Sequence, residues 1–495
     1  MSDIVTLNGY KIKDEKAIRS YETVALMKAD TKLKEGYHVR TKGYYEANDG
    51  GHGEYIIVDD ETLVNDGGSI HVLSNGLRAK LILKDEVNPE QFGAYGDNTH
   101  DDILNIQSLL DYVASNNKYK VVMNKEYLIT DTLEIKYNNC QIEINGTLNY
   151  TGETDSAVYY NGDLGHLYIH KILSSYDGIV IEGNSTQTSA YNEFNFDYIL
   201  ADHDGIVEYA NNGWLQYNEF RFKNIRADNI GINLKSVNNA TTSWITESKY
   251  WGGHISAKGY PGYNEYCIYI DGTSAKTIST QKFYNIGFEG TKKGCHIENA
   301  SACVFEHFRN RESIQTKLFE LVGVCSRNEF YGEGIYMKWL DWSGLTTFSY
   351  PNTFHGTFLT DGGSMYHFTE FSVDHTGMKY CNQNAFIYAN NSTGETVYTL
   401  DSTKSWYGFP TQILMGNNVD LILDTKYYNY LNINTLYLMM ASSTSNGIKD
   451  TNGNTLVDFT GKSLGYKKLK ITFFQQAQPN FSPDGILVEE VTPIV

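Results

Sequence analysis

Proline is scarce in this chain, with 7 residues among 495, while Gly numbers 44 and Tyr 39. Tyr favours strands and Gly favours turns, so the imbalance reads as all-β. Basic side chains are also in deficit, 40 against 59 acidic, for a net charge of -19. That excludes a nucleic-acid binder held by a broad basic surface, because phosphate contacts need clustered Lys and Arg. No apolar run approaches the roughly 18 residues of a membrane span. The start, MSDIVTLNGYKIKDEKAIRS, has neither a signal-peptide apolar core nor a small-residue cleavage site. The six cysteines (Cys140, Cys267, Cys295, Cys303, Cys325, Cys381) contain no CxxC pair. They read as buried, reduced thiols rather than a disulfide or metal set. The expectation is a protein made in a reducing compartment, reaching any extracellular target without the usual secretion route.

What is present falls into three parts. Residues 1–88 predict a small β domain: a helix over Lys16 to Asp30, then strands around the Asp49-Gly50-Gly51 reversal and the Asn75-Gly76 turn. Residues 89–395 carry the repeat described below. Residues 396–495 predict a terminal β domain, suited to trimerisation or receptor contact, with the polar stretch 441–454 separating its strands; the last coils and a cap of the preceding part are the alternative.

At the head of the middle part, Thr99 or Asn98 is placed to cap a helix whose first turn holds Asp101 and Asp102. The helix dipole favours acids there without any substrate, so a catalytic or metal dyad is not needed to explain them. Ile103, Ile106, Leu109, Leu110 and Val113 form one apolar stripe, so this helix, expected from Asp101 to Ala114, can cover a flat apolar surface. Beyond it, LYIHKILSSYDGIVIEG, FNFDYILADHDGIVEYA and FRFKNIRADNIGINLKS start at Leu167, Phe194 and Phe220, intervals of 27 and 26 residues, with Gly178, Gly205 and Gly231 at matching offsets. One such unit is too short to close a core, so repetition implies stacked coils. Ile172, Ile199, Ile225, Ile255, Phe288 and Ile335 fall at one equivalent position and predict an inward ladder.

The stretch FGAYGDNTHDDILNIQSLLDYV, followed by KYKVVMNKEYLIT, resembles the opening motif of the pectate-lyase-like, single-stranded right-handed parallel β-helix superfamily, which includes polysaccharide-processing enzymes and phage tailspike or tail-fibre proteins. It departs from that pattern at Asn98, Asn124 and Glu126, so the first turn is expected to differ in shape. The DGG-containing first part further resembles tailspikes of phages infecting Gram-positive bacteria, in which an N-terminal unit attaches the spike to tail or baseplate proteins. The resemblance implies a right-handed β-helix with an N-terminal capping helix, a parallel homotrimer, a place in the virion tail after release from the host cytoplasm by lysis, and a host surface glycan (capsule, teichoic acid or other wall polysaccharide) as partner.

No nucleotide loop, HExxH or GxSxG occurs, which leaves carbohydrate chemistry on the outer face. Glycoside hydrolysis needs two carboxyl groups, about 5 Å apart for retention or about 6.5 to 9.5 Å for inversion. Aligned coils place Asp197, Lys223, His254, Glu289, Glu306, Arg309, Arg311 and Glu333 outward. Glu289, Glu306 and Glu333 are the acid/base candidates, with Arg309, Arg311 and His254 beside them for substrate, although a solvated face with ordinary ion pairs would present the same pattern. Trp251, Tyr284 and Tyr331, with Tyr168, are candidate platforms for sugar rings, or else pack under loops and between subunits. Asp202 with Asp204, or Asp361 with Asp374, are the fallback acids. His375 beside Asp374 only faintly resembles a pectate-lyase pair, and such lyases use calcium, which nothing else in the sequence indicates; no metal or cofactor is expected. The functional expectation is a tailspike that binds and depolymerises host polysaccharide, with a non-catalytic receptor-binding or structural tail protein as the alternative, and a bacterial polysaccharide lyase or hydrolase after that.

Overall fold

The computed structural model describes residues 4–7, 10–13, 18–83, 85–116, 119–237, 241–259, 262–273, 277–310, 314–336, 339–346 and 350–359, and beyond 359 isolated segments. It divides into two compact units, Met1–Asn264 and Glu265–Val495.

The first unit opens with a five-stranded mixed sheet. The expected hairpin at Asn75-Gly76 is present, Ile70–Val72 pairing antiparallel with Arg78–Leu81 around a left-handed Gly76 (φ +89°). At the other reversal the Asp49 carboxylate accepts from the amides of Tyr44, Tyr45, Glu46 and Gly51. The long helix expected over residues 16–30 is corrected: Arg19–Tyr21 is a strand beside His38–Thr41, and the helix is only Val24–Ala29. Thr23 accepts from the Leu26 amide and starts the helix late, while Asp30 ties back to Arg19 and Tyr21 and ends it.

The amphipathic helix runs over Ile103–Asn116 and buries Ile103, Ile106, Leu109, Leu110 and Val113, the stripe the periodicity predicts. Its cap is not the expected one. Asn98 and Thr99 lie in the strand Asp97–Asp101, which pairs with Glu126–Ile129. Asp102 directly precedes the helix, its carbonyl accepting from Ile106 N at 3.0 Å, and its buried carboxylate accepts from Tyr95 N and Gly96 N. The Asp101 carboxylate accepts from Thr130 of the first coil. Both acids therefore clamp the chain entering the helix.

Parallel β-helix coils follow. Strands Gln141–Tyr150, His166–Ser174, Glu193–Ala201 and Glu219–Ala227 pair in parallel, one coil on the next. Leu148, Ile172, Ile199, Ile225 and Ile255 stand in one register row and are fully buried. The matching glycines are a matter of space: a Cβ on Gly178 would lie 2.5 Å from the Gly205 carbonyl oxygen and 2.6 Å from Ile199 Cγ2, and one on Gly205 meets Ile225 and Gly231 in the same way. Polar residues inside the lumen are paired along the stack. Asn192 Nδ2 donates to Asn218 Oδ1 at 3.1 Å, as a buried amide must to avoid an unsatisfied donor.

The second unit contains coils of the same design. Phe283, Phe305, Phe330 and Phe354 stack at 4.8, 5.0 and 4.5 Å between ring centres, close to the inter-strand spacing of a parallel sheet. Phe288 and Ile335 are buried as expected, and so are Cys267, Cys295, Cys303 and Cys325, free thiols like Cys140 of the first unit. The Cys381 side chain lies outside the described residues. Near the C-terminus Thr435–Met440, Lys468–Phe473 and Ile486–Val491 pair antiparallel in succession. The polar stretch 441–454 is not only a spacer, since Gly447–Asp450 pairs with Thr455–Asp458.

Candidate functional site

The outer face of the long sheet in the first unit is built from two columns of side chains. In the first, Glu143, Tyr168, Asn195, Arg221 and Trp251 follow one another coil by coil; in the second, Thr147, Lys171, Tyr198, Asn224 and His254 do. Because strand residues alternate faces, these residues point out while their neighbours fill the lumen. The regular pairing is interrupted between the columns, and there His170, Asp197 and Lys223 meet.

Asp197 is the focus. Tyr168 Oη donates to its Oδ2 at 3.1 Å, His170 Nδ1 lies 2.9 Å from the same oxygen, and Lys223 Nζ lies 2.7 Å from Oδ1. Burial works against its charge, but the bonds from Lys223, His170 and Tyr168 outweigh it and hold the carboxyl below the usual range. Asp197 is therefore held as a carboxylate, fixed in place by these three partners. Around it opens a groove of about 530 Å³ lined by Glu143, His166, Tyr168, Arg221, Lys223 and Trp251, among others. Trp251 is 38% exposed. Glu143, held by Lys120 at 2.8 Å, sits two coils from Asn195 in its column, about 9.6 Å along the stack. A second depression, about 400 Å³, is lined by His170, Lys171, Tyr198, Leu200, Asn224 and Arg226.

The predicted residues fall in both units. Trp251 lines the groove of the first unit and His254 ends its second column. In the second unit Tyr284, Glu306 and Tyr331 occupy one register row, which His355 continues, stacked on Tyr331 at 4.3 Å. Glu289 ends the strand Gly287–Glu289, whose Gly287 is in register with Arg309. Glu289 is thus in a different strand segment from Glu306, which lies in Val304–Glu306. Arg309, Glu333 and Asp374 belong to described strands but their side chains lie outside the described residues, as do Arg311, Asp361 and His375 altogether. His170 and Glu143 escaped the sequence reading, although His170, Asp197 and Lys223 share the repeat's own offsets of 27 and 26 residues.

The fallback acids Asp202 and Asp204 both have partners within the first unit. Asp202 pairs with Lys258. Asp177, His203 and Asp204 bring ligand-type atoms within 4.8 Å of one another. Those atoms are already engaged: His203 Nδ1 meets Asp177 at 2.6 Å, and Asp204 accepts from Asn229, Asn233 and Ile230 N. Burial first, and then the charge of Asp204, pushes Asp177 up to about 6.

No protein-family model and no curated protein matches the chain. Solved structures to which the chain is similar include phage tailspikes and a glycan biofilm modifying enzyme of Pantoea stewartii with a tailspike-like parallel β-helix fold, the latter 10% identical with a TM-score of 0.42, over 70% of this chain and 53% of its own. Tailspike protein 2 from an Escherichia coli O157:H7 bacteriophage is 13% identical with a TM-score of 0.42, over 83% of this chain and 52% of its own, so the chain spans about half its length. The gp42 tailspike of Acinetobacter phage vb_AbaP_AS12 is 11% identical with a TM-score of 0.45, over 93% and 90%. Tailspike gp49 from an Acinetobacter baumannii bacteriophage, described as a capsular polysaccharide depolymerase, is 10% identical with a TM-score of 0.38, over 92% and 82%. Among the described residues no helix is long and apolar enough to cross a membrane.

Proposed function

We propose that this chain is a phage tailspike that binds a host cell-surface polysaccharide along the outer face of its β-helix and depolymerises it. The observation that carries this reading is the groove over Asp197, an open trough on rigid strands with an exposed indole, a phenol, a fixed carboxylate and cations converging on it. Rings of Trp and Tyr stack on the apolar faces of sugars, and the charged groups bind hydroxyls. In this reading Glu143 and Asp197 are the first candidates for cleavage, because they are the two carboxylates lining the groove, on strands two coils apart. Glu289, Glu306 and Glu333 of the second unit are the second candidates, supported by the row in which Glu306 stands between Tyr284 and Tyr331.

The same reading makes the chain a virion tail component, attached through its N-terminal part to tail or baseplate proteins and assembled as a homotrimer. Exposed rings on the first unit support assembly: Trp214 stacks on Trp244 at 5.5 Å and Tyr191 on Tyr217 at 4.9 Å, an apolar edge that subunit contact would cover. The test is incubation with purified capsule or teichoic acid of the host, following new reducing ends and the absorbance of unsaturated uronates. Hydrolysis yields the first alone and elimination yields both. Binding with neither product makes the chain a receptor binder only, and absence of binding overturns the reading.

A further inference from the structure

We infer that the depression beside the groove is an anion seat, so that the polysaccharide taken by this face carries a carboxylate or phosphate at regular intervals. This rests on the reading of the face as a glycan groove. The wall of the depression contains His170, Lys171, Tyr198, Leu200, Asn224 and Arg226 and no carboxylate. Other cations of the face are neutralised by neighbours: Lys120 by Glu143, Lys223 by Asp197, and Arg221 and Lys249 by Glu219. Lys171 and Arg226, by contrast, have no carboxylate partner among the described residues. Of the acids on the neighbouring strand segments, Asp197 is held by Lys223, His170 and Tyr168, Asp202 by Lys258, and Asp228 accepts from the amides of Lys258 and Gly259.

Register places the two cations on either side of Tyr198. Lys171 pairs with Tyr198 from the coil before, and Arg226 pairs with Leu200 from the coil after. Their backbones are two coils, about 9.6 Å, apart along the stack, and both side chains are long enough to converge on a group seated between them. Leu200 and the phenol of Tyr198 supply an apolar wall, so a charge there is partly shielded from water and the attraction is stronger than at an open surface. Arg offers a planar fork matched to a carboxylate or phosphate, and Lys adds a point charge. In a chain of net charge -19 two unneutralised cations over one depression are a local reversal of sign. The adjoining indole of Trp251 would hold the sugar ring whose charged substituent reaches the seat.

The experiment is calorimetric titration of the intact chain, in about 50 mM salt, with three short probes: trigalacturonate, a glycerol-phosphate trimer and neutral maltotriose. The expected result is that at least one acidic probe binds about tenfold or more tighter than maltotriose, and that raising salt to about 200 mM removes most of that advantage. Which acidic probe is preferred identifies the source of the anion. Lys171→Ala and Arg226→Ala should each weaken the acidic probe about fivefold or more and leave maltotriose unchanged, with Lys171→Arg retaining binding. Equal binding of all three probes, or acidic binding untouched in the double alanine variant, overturns the anion seat. If in that case Trp251→Ala still weakens maltotriose, the glycan groove stands without the seat. If neither the probes nor host polysaccharide binds, the groove reading falls and the seat falls with it.

Discussion

The phenol of Tyr250 donates a hydrogen bond to the carboxyl of Glu208 inside the lumen of the first unit, where Asn218 Nδ2 at 3.3 Å and Ser248 Oγ at 3.4 Å close around its other oxygen. Glu208 is fully buried. Burial raises its pKa from 4.5 to about 7, against the lowering effect of those three donors. A carboxyl whose folded pKa is raised favours the folded state most below its unfolded value and loses that contribution as pH rises through the folded one. The chain should therefore lose roughly 3 kcal/mol from this group between about pH 4.5 and 7. Chemical denaturation of the parent and of Glu208→Gln at pH 5 and pH 8 checks it: the difference between the two must change with pH in that direction, and a constant difference would show that Glu208 does not titrate there.

The coil repeat was legible because the lumen imposes it. A row such as Ile172, Ile199 and Ile225 is fully buried and so must be apolar in every coil, and Gly178 has no room for a Cβ at all. The helix stripe was legible for a similar reason, since its apolar face is defined by what it covers. The short helix at Val24–Ala29 was not, because Ile18 and Tyr21 satisfy helical spacing while the pairing of Arg19–Tyr21 with a strand 20 residues on decides the outcome. The Asp197 site was half legible. Asp197, Lys223, Tyr168 and Trp251 read as outward, but His170 bonds Asp197 only where the regular pairing breaks, and alternation alone does not reveal such a break.

The inward row also sets a packing prediction. Ile199 has neighbours above and below it in the row and is fully buried, so Ile199→Ala leaves a cavity that a stacked architecture cannot collapse. The expected cost is about 2 to 5 kcal/mol. Ile106→Asp, which places a charge under the capping helix, should cost at least as much. Equilibrium denaturation monitored by circular dichroism measures both, and a loss below about 1 kcal/mol for either contradicts the burial assigned here.

Assembly gives a third test. Trp214 is 41% exposed and Trp244 37%, stacked along an edge where Tyr191 and Tyr217 also stand out. Trp214→Glu with Trp244→Glu replaces an apolar strip by like charges, which a contact between subunits cannot accommodate. Light scattering should then show the parent as a trimer and the double variant as a 56 kDa chain. A parent that remains a monomer at micromolar concentration refutes the trimer.

The chemistry is tested by removing one titrating group at a time. Asp197→Asn keeps the shape of the side chain but removes the charge that Lys223 and His170 hold in place, so a base or water-orienting role should cost several orders of magnitude in polysaccharide cleavage. Because the folded pKa of Asp197 is depressed, its ion-pair contribution is present above the ordinary aspartate range and is lost only as pH falls through the lower value; cleavage that depends on it should persist into mildly acidic buffer. Glu143→Gln should cost a comparable factor if it is the second carboxyl. Glu289→Gln, Glu306→Gln and Glu333→Gln should then cleave near the parent rate. The reverse pattern, with the two first-unit variants active and one of the three glutamine variants inert at an unchanged melting temperature, would move the reaction to the row shared by Tyr284, Glu306 and Tyr331.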